Sequence, residues 1–349
     1  MTRKWMGLLT IAMGALLAMP ASSWAWRKSG HRIVIMIAWK HMNADARKEI
    51  SKILNGDNGT RITPVDVANW ADDVRSDPRF DLLAPLHFVN SPKDVNDYNL
   101  IPEDKINPQG DLVQAIEALA VYLQKNDHTA LASVKAFVAL EASGVKIDRE
   151  MALKLFVHFI GDLSQPLHFG YEEDHGGNKV SVEVMHRPGN LHAAWDDLLN
   201  NFQEYSSQEY SQYLNRQLSE ANKKTWTEKD LYTMAAETMV LREKMYHFPD
   251  GFKTPVAPTD SAHALDSTHP VDPNAAQVAK IGYKYFYEMV PVLDNQLLKG
   301  GVVAASLLNK VFGSSAATAP PLFDLSRKRG VSTGSVSGIA GASCQYLFK

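Results

Sequence analysis

Residues 158–168 read HFIGDLSQPLH. The apolar spacing predicts a helix over Asp148–Leu163, with an aspartate near its start and Pro166 after its end. His158 and Asp162 stand four residues apart, so both project from one face of that helix. Their neighbours are Phe156, Val157, Phe159 and Ile160, which belong in a core. A carboxylate carried into a core must be met by a cation or by hydrogen bonds. The chain therefore has to fold around a polar centre, and its chemistry depends on what fills that centre.

A second segment, 190–197, reads NLHAAWDD and repeats the geometry with His192 and Asp196, again among apolar residues (Leu191, Ala193, Ala194, Trp195). A lone His-x-x-x-Asp pair is commonly a surface ion pair. Two such pairs on predicted helices, each with its aspartate in an apolar setting, point to metal. Imidazole and carboxylate ligands suit zinc. The only cysteine is Cys344, close to the C-terminus, so an internal disulfide and a cysteine-rich zinc site are both excluded. Any metal must be held by His, Asp and Glu.

The chain has 349 residues, 36 Lys plus Arg against 39 Asp plus Glu, and a net charge of −3. Apolar residues make up 45% and charged residues 21%, ordinary globular usage that excludes wholesale disorder. No general basic field is present to hold nucleic acid. The N-terminus has a basic Arg3-Lys4 pair, an apolar run from Trp5 to Met19, and small residues Ser23 and Ala25 three and one before Trp26. This is the pattern of a signal peptide over 1–25, cut before Trp26, in a secreted or periplasmic protein. The competing reading is a membrane anchor, for which the apolar run is short.

The remainder reads as all-α. Helices are expected over Ile33–Leu54, Val65–Val74, Asp111–Gln124, Ala130–Ser143, Asp148–Leu163, Asn190–Leu199, Ser206–Ala221 and Thr227–His247. A further helical period over Asn274–Phe312 is expected to break at Pro291 and at Gly300-Gly301. The alternating run Lys179–Val184 fits a short β-hairpin. We expect one helical catalytic domain over 26–312 and a disordered, low-complexity tail over 313–349.

Three further segments stand out: WADDVR at 70–75, PLHFVN at 85–90, and WRKSGH from Trp26. With the two His-Asp segments, they follow an order that resembles the trinuclear-zinc, single-strand-specific nucleases of moulds, plants and bacteria. That family shares a superfamily with the zinc phospholipases C. The resemblance runs from Trp26 to about Trp195 and implies an all-helical fold. It implies three Zn2+ ions. The first would be held by Asp72, His87, His158 and Asp162, and the second by His168, His192 and Asp196. The third would be held by the Trp26 backbone, His31 and the second oxygen of Asp162. It further implies that Arg75 meets the substrate phosphate, that Phe88 and Asn90 stack on and hydrogen-bond a base, and that Gly177 and Asn178 help line the pocket. With Asp72 and Asp162, Arg75 would form the catalytic group.

The activity implied is hydrolysis of single-stranded DNA and RNA to 5'-phosphorylated products through a zinc-bridging hydroxide, with 3'-nucleotidase activity besides. Asn90 departs from the mould enzymes, which carry Asp there; an amide both donates and accepts. Two alternatives stay open on sequence: a zinc phospholipase C acting on phosphatidylcholine-type lipids, and a non-catalytic zinc-binding surface protein. No obligate protein partner is indicated. His41 reads as a core histidine, and Trp70 and Trp195 as packing.

Overall fold

The computed structural model describes residues 26–56, 61–197, 204–249 and 278–326. The expected signal peptide at 1–25, Cys344 and the last part of the expected tail lie outside them. The described chain is mostly helical, with one small sheet. The helices are α1 (Arg27–His41), α2 (Ala44–Asn55), α3 (Trp70–Asp73), α4 (Leu112–Lys125), α5 (Lys135–Ala142) and α6 (Arg149–Asp162). After these come α7 (Leu191–Asp196), α8 (Ser207–Gln217), α9 (Glu220–Thr227), α10 (Leu231–Met245) and α11 (Tyr283–Phe312).

Side-chain caps set most of these boundaries. Asp111, Asp148, Asn190 and Asp230 each accept from the backbone N–H three residues on, opening α4, α6, α7 and α10. Asn43 does the same for α2. That cap divides the expected Ile33–Leu54 helix into α1 and α2, with Met42 in extended backbone between them. The expected Val65–Val74 helix is reduced to α3. Around it the chain takes turns and two 3-10 segments, Val74–Ser76 and Pro78–His87, the second containing Pro85.

Helix α6 is the axis of the molecule. Its last ten residues include nine that are fully buried or nearly so, from Leu153 through Asp162. A helix buried all round needs neighbours on every side, and α1, α2, α3, α4 and α11 all contact it. Helix α11 covers α1 along its length and also meets α2, α4, α8 and α9.

The expected breaks in α11 do not occur. Pro291 sits on an exposed face, where the carbonyl of Tyr287 can be left to water. Gly300 and Gly301 face the turn after α6 and helix α1 instead of ending the helix. A Cβ on Gly301 would stand 2.5 Å from Ile37 Cβ, and one on Gly300 would stand 2.7 Å from Ser164 Cβ. The glycines are there for close approach.

The hairpin is present as β1 (Ser181–Val184) and β2 (Arg187–Asn190), antiparallel, with Ser181 opposite Asn190. A third strand, β3 (Ala279–Ile281), adds in parallel to β1, which the sequence did not suggest. The segment after α11 also departs from expectation. Through residue 326 it lies on α4 and α10 instead of leaving the surface. Gln124 donates to the carbonyls of Ala316 and Pro320 and accepts from the Leu322 N–H, and Phe323 packs edge-on against Tyr232. Residues 327–349 lie outside the described residues.

Gly301→Ala tests the α1–α11 contact. Helix propensity alone would favour alanine by about 1 kcal/mol. The clash with Ile37 reverses the sign, and urea denaturation should show a loss of about 1–3 kcal/mol.

Candidate metal centre and adjoining cavity

Asp162 ends α6 with a carboxylate that is fully buried. Four imidazole nitrogens surround it, two at each oxygen. His87 Nδ1 and His158 Nε2 lie 3.1 and 3.4 Å from Oδ2, while His31 Nε2 and His168 Nδ1 lie 3.3 and 3.4 Å from Oδ1. Asp72, from α3, approaches from the Oδ2 side: its Oδ1 is 3.8 Å from His158 Nε2 and 3.9 Å from His87 Nδ1. On the other flank His168 and His192 stack with centroids 5.2 Å apart. His192 Nε2 lies 3.6 Å from Asp196 Oδ2.

The ring orientations are set from outside the cluster. His158 Nδ1 donates to the Ala68 carbonyl at 2.8 Å, which leaves Nε2 with its lone pair toward the two aspartates. His192 Nδ1 donates to the Gly176 carbonyl at 2.6 Å, with the same consequence at its Nε2. Gln165 Nε2 donates to Asp196 Oδ1 at 2.8 Å and so aims Oδ2 at His192. Lone pairs that face carboxylates repel unless a cation lies between them, and outer hydrogen bonds of this kind are how proteins orient metal-binding histidines.

Protonation behaves accordingly. Burial pushes the carboxyls of Asp162 and Asp196 well above the usual range. Burial lowers His87 and His168 well below the ordinary histidine value and takes His192 to about 4. Neutral imidazoles and carboxyls in need of a positive partner are the groups that suit a metal ion. Buried atoms with no hydrogen-bond partner include both oxygens of Asp72, Oδ1 of Asp162, Nε2 of His87 and Nδ1 of His168. Three groups have ligand atoms close enough to share an ion: His31, Asp72 and His158; His87, His158 and Asp162; and His168, His192 and Asp196. The donor set fits metal.

The expected ligands thus converge, apart from a backbone contact at Trp26 that these side-chain groups do not include. Trp26 precedes α1 with φ 28°. Its ring is buried, its Nε1 donates to Ser164 Oγ at 3.0 Å, and it meets Trp195 edge-on at 6.5 Å. It is therefore a packing residue as well as a candidate ligand. His31 reaches the centre because residue 161 is glycine: a Cβ there would stand 2.3 Å from His31 Nδ1. Its ring stacks on His158 at 4.0 Å.

Beside the centre opens a cavity of about 280 Å3 lined by Arg75, His87, Phe88, Asn90, His168, Asn178 and His192, among others. Arg75 Nη1 is 3.6 Å from Asp72 Oδ1, and its side chain is partly exposed. Gly177 is not in the lining. Its N–H donates to Asp174 Oδ1 and its carbonyl accepts from Val180 and His192, so it shapes the loop, with φ +84°, instead of facing a ligand. His41, read as a core residue, is only half-buried and pairs with Asn215 Oδ1 at 2.9 Å.

The residue that sequence reasoning missed is Arg242 on α10. It is fully buried. Nη1 donates to Ser91 Oγ and to the carbonyls of Phe169 and Gly170; Nη2 donates to the carbonyls of Pro92 and Val95 and to Asn96 Oδ1. The guanidinium also lies over the Tyr171 ring at 4.2 Å. It thereby ties the segment after Phe88 and Asn90 to the segment after His168, which also bridge through Val89 N–H to the His168 carbonyl. Only spatial neighbours reveal this; no motif surrounds position 242.

The family model described as S1/P1 Nuclease matches residues 26–313. Endonuclease 2 of Arabidopsis thaliana is 29% identical over 82% of this chain and 91% of its own length. Nuclease P1 of Penicillium citrinum is 26% identical over 84% of this chain and its full length. Nuclease S1 of Aspergillus oryzae is 28% identical over 85% of this chain and 95% of its own. All three are named as nucleases or endonucleases, and the phospholipase alternative has no support among them.

Two measurements check this site. Arg242→Met removes one donor from six acceptors, of which the Gly170 and Pro92 carbonyls keep the Ser91 and Val95 N–H groups, and should lower stability by about 3 kcal/mol in urea denaturation. In chelator, His192 is ordinary when unfolded and near 4 when folded, so the unfolded state binds the extra proton. Between about pH 6.5 and 4 the chelated wild type should therefore lose more thermal stability, or gain less, as pH falls than chelated His192→Gln, the difference being the contribution of His192.

Proposed function

The chain belongs to the S1/P1 nuclease family and is a hydrolase acting on phosphodiester bonds; we propose that it is a zinc enzyme with three ions, exported from the cell, that cuts single-stranded DNA and RNA. Products carry 5'-phosphate, and 3'-nucleotides lose their phosphate at the same centre. The observation that carries this reading is the two-sided carboxylate of Asp162, with a separate pair of imidazoles at each oxygen, beside a cavity holding Arg75, Phe88 and Asn90.

Asp72, His87, His158 and the Oδ2 side of Asp162 would hold one ion. His168, His192 and Asp196 would hold a second. His31, the Oδ1 side of Asp162 and the Trp26 backbone would hold the third. Bound zinc would supply an activated water at neutral pH and neutralise charge on the phosphate.

The chain's own groups then define the reaction's geometry. Arg75 stands at the cavity's edge, where its guanidinium can grip non-bridging phosphate oxygens as their charge rises. It gives a phosphate a positive partner in a protein whose net charge is −3. Phe88 offers a face for stacking, and stacking accepts any base. Asn90 both donates and accepts, so it can meet the edge of more than one base. Asn178 also lines the cavity. Export is supported by the signal-peptide pattern and by a family match that begins at residue 26, the first residue after the expected cut.

Protein beginning at Trp26 should contain three zincs per chain by elemental analysis. It should release 5'-mononucleotides from single-stranded DNA and RNA, lose that activity in chelator, and leave phosphatidylcholine intact. Arg75→Ala should lower kcat/KM on single-stranded DNA by about 100-fold with zinc content unchanged. Lipid cleavage with intact nucleic acid would overturn the substrate assignment, and a chelator-insensitive activity would overturn the metal assignment.

A further inference from the structure

Phe88 and Asn90 border two cavities. Besides the one at the metal centre, a second of about 300 Å3 opens next to them, lined by Val89, Ile101, Asp104, Lys105, Ile106, Asn107, Pro108, Asp111 and Glu172. It holds none of the candidate metal ligands. The two spaces are nearly equal in volume and meet at one aromatic and one amide side chain.

Their electrostatics differ. The first has Arg75 and the metal-binding cluster. The second has three carboxylates, Asp104, Asp111 and Glu172, against one ammonium, Lys105, which lies 3.3 Å from Glu172. Asp111 is engaged by the Tyr98 hydroxyl and the Gln114 N–H. A phosphate is repelled from such a space and drawn to the other. An uncharged ring is not repelled: Val89, Ile101, Ile106 and Pro108 offer it apolar walls. Asn107 and the carboxylates offer acceptors for ring N–H and exocyclic amino groups.

We propose that the second cavity is a subsite for a second nucleobase, so that Phe88 stands as a wedge between adjacent bases of a single strand. The inference rests on the nuclease reading above. It adds a physical reason for single-strand preference. Bases parted by a side chain must first unstack, which a single strand does at small cost, whereas a duplex must also unpair. Each base–aromatic contact is worth about 1–3 kcal/mol, or roughly 5- to 150-fold in affinity.

The test uses the zinc-loaded protein and four single-stranded tetranucleotides. One is intact, two lack a single base on one or the other side of the scissile phosphate, and one lacks both. Asn107 is exposed and its side chain accepts only a local bond from the Gln109 N–H, so Asn107→Trp can fill the second cavity without disturbing the core, with an unchanged circular dichroism spectrum as the check that the turn survives. In the wild type, removal of either base should raise KM about ten-fold, with kcat little changed. In Asn107→Trp one of those penalties should disappear and the other remain, while KM for the intact tetranucleotide rises about ten-fold. Zinc content should not change. The subsite is overturned if only one base matters to the wild type, or if both penalties survive in the variant. A wild type that cleaves none of the four overturns the nuclease reading itself, and the subsite with it.

Discussion

A single carboxylate at the end of the central helix governs this molecule. Asp162 is buried with a histidine pair at each oxygen, and those histidines come from four separate segments of the chain. Without positive charge between them the arrangement is unfavourable, since burial alone drives the carboxyl toward its protonated form. With it, the same groups become mutual neighbours of a cation and the interior is satisfied. Folding and metal loading are therefore coupled, because the metal stabilises only the state in which these segments meet.

The surrounding structure serves that meeting. Gly161 lets α1 bring His31 against the α6 face. The 3-10 segment Pro78–His87 ends on one candidate ligand, and a second short one, Pro166–Phe169, carries another. Neither would hold a side chain firmly in isolation. Arg242 supplies the firmness, drawing carbonyls of both loops onto one planar cation. Buried arginines are commonly paired with carboxylates. Here the fork is spent on backbone, which fixes loop geometry without placing another carboxylate near the metal ligands.

The clustering of histidines and aspartates was legible in the sequence because these residues have a local signature. A histidine and an aspartate four apart in an apolar helix can be recognised without knowing what packs on them, as at His158 and His192. The helices with strong periodicity and a capping aspartate, α4 and α6, were legible for the same reason. What escaped was information held by distant partners. Gly300 and Gly301 look like a break until α1 and Ser164 are seen to press on them. Gly177 looks like a pocket residue until its N–H is found on Asp174. Strand β3 has no hairpin turn to announce it, since it joins β1 in parallel from nearly a hundred residues away. Arg242 is one arginine among many until its six acceptors are in view.

The close packing of α1 against α11 has a consequence for the order of events in biosynthesis. Every candidate ligand lies in residues 26–196, yet α1 packs against Tyr283–Phe312 as well as against α6 and α8. A nascent chain thus carries all of its candidate ligands well before it has the α11 face against which α1 packs. The contact of α11 with α1 can therefore form only after every candidate ligand has been synthesised, so the last seam of the core to close is the one that carries Trp26 and His31.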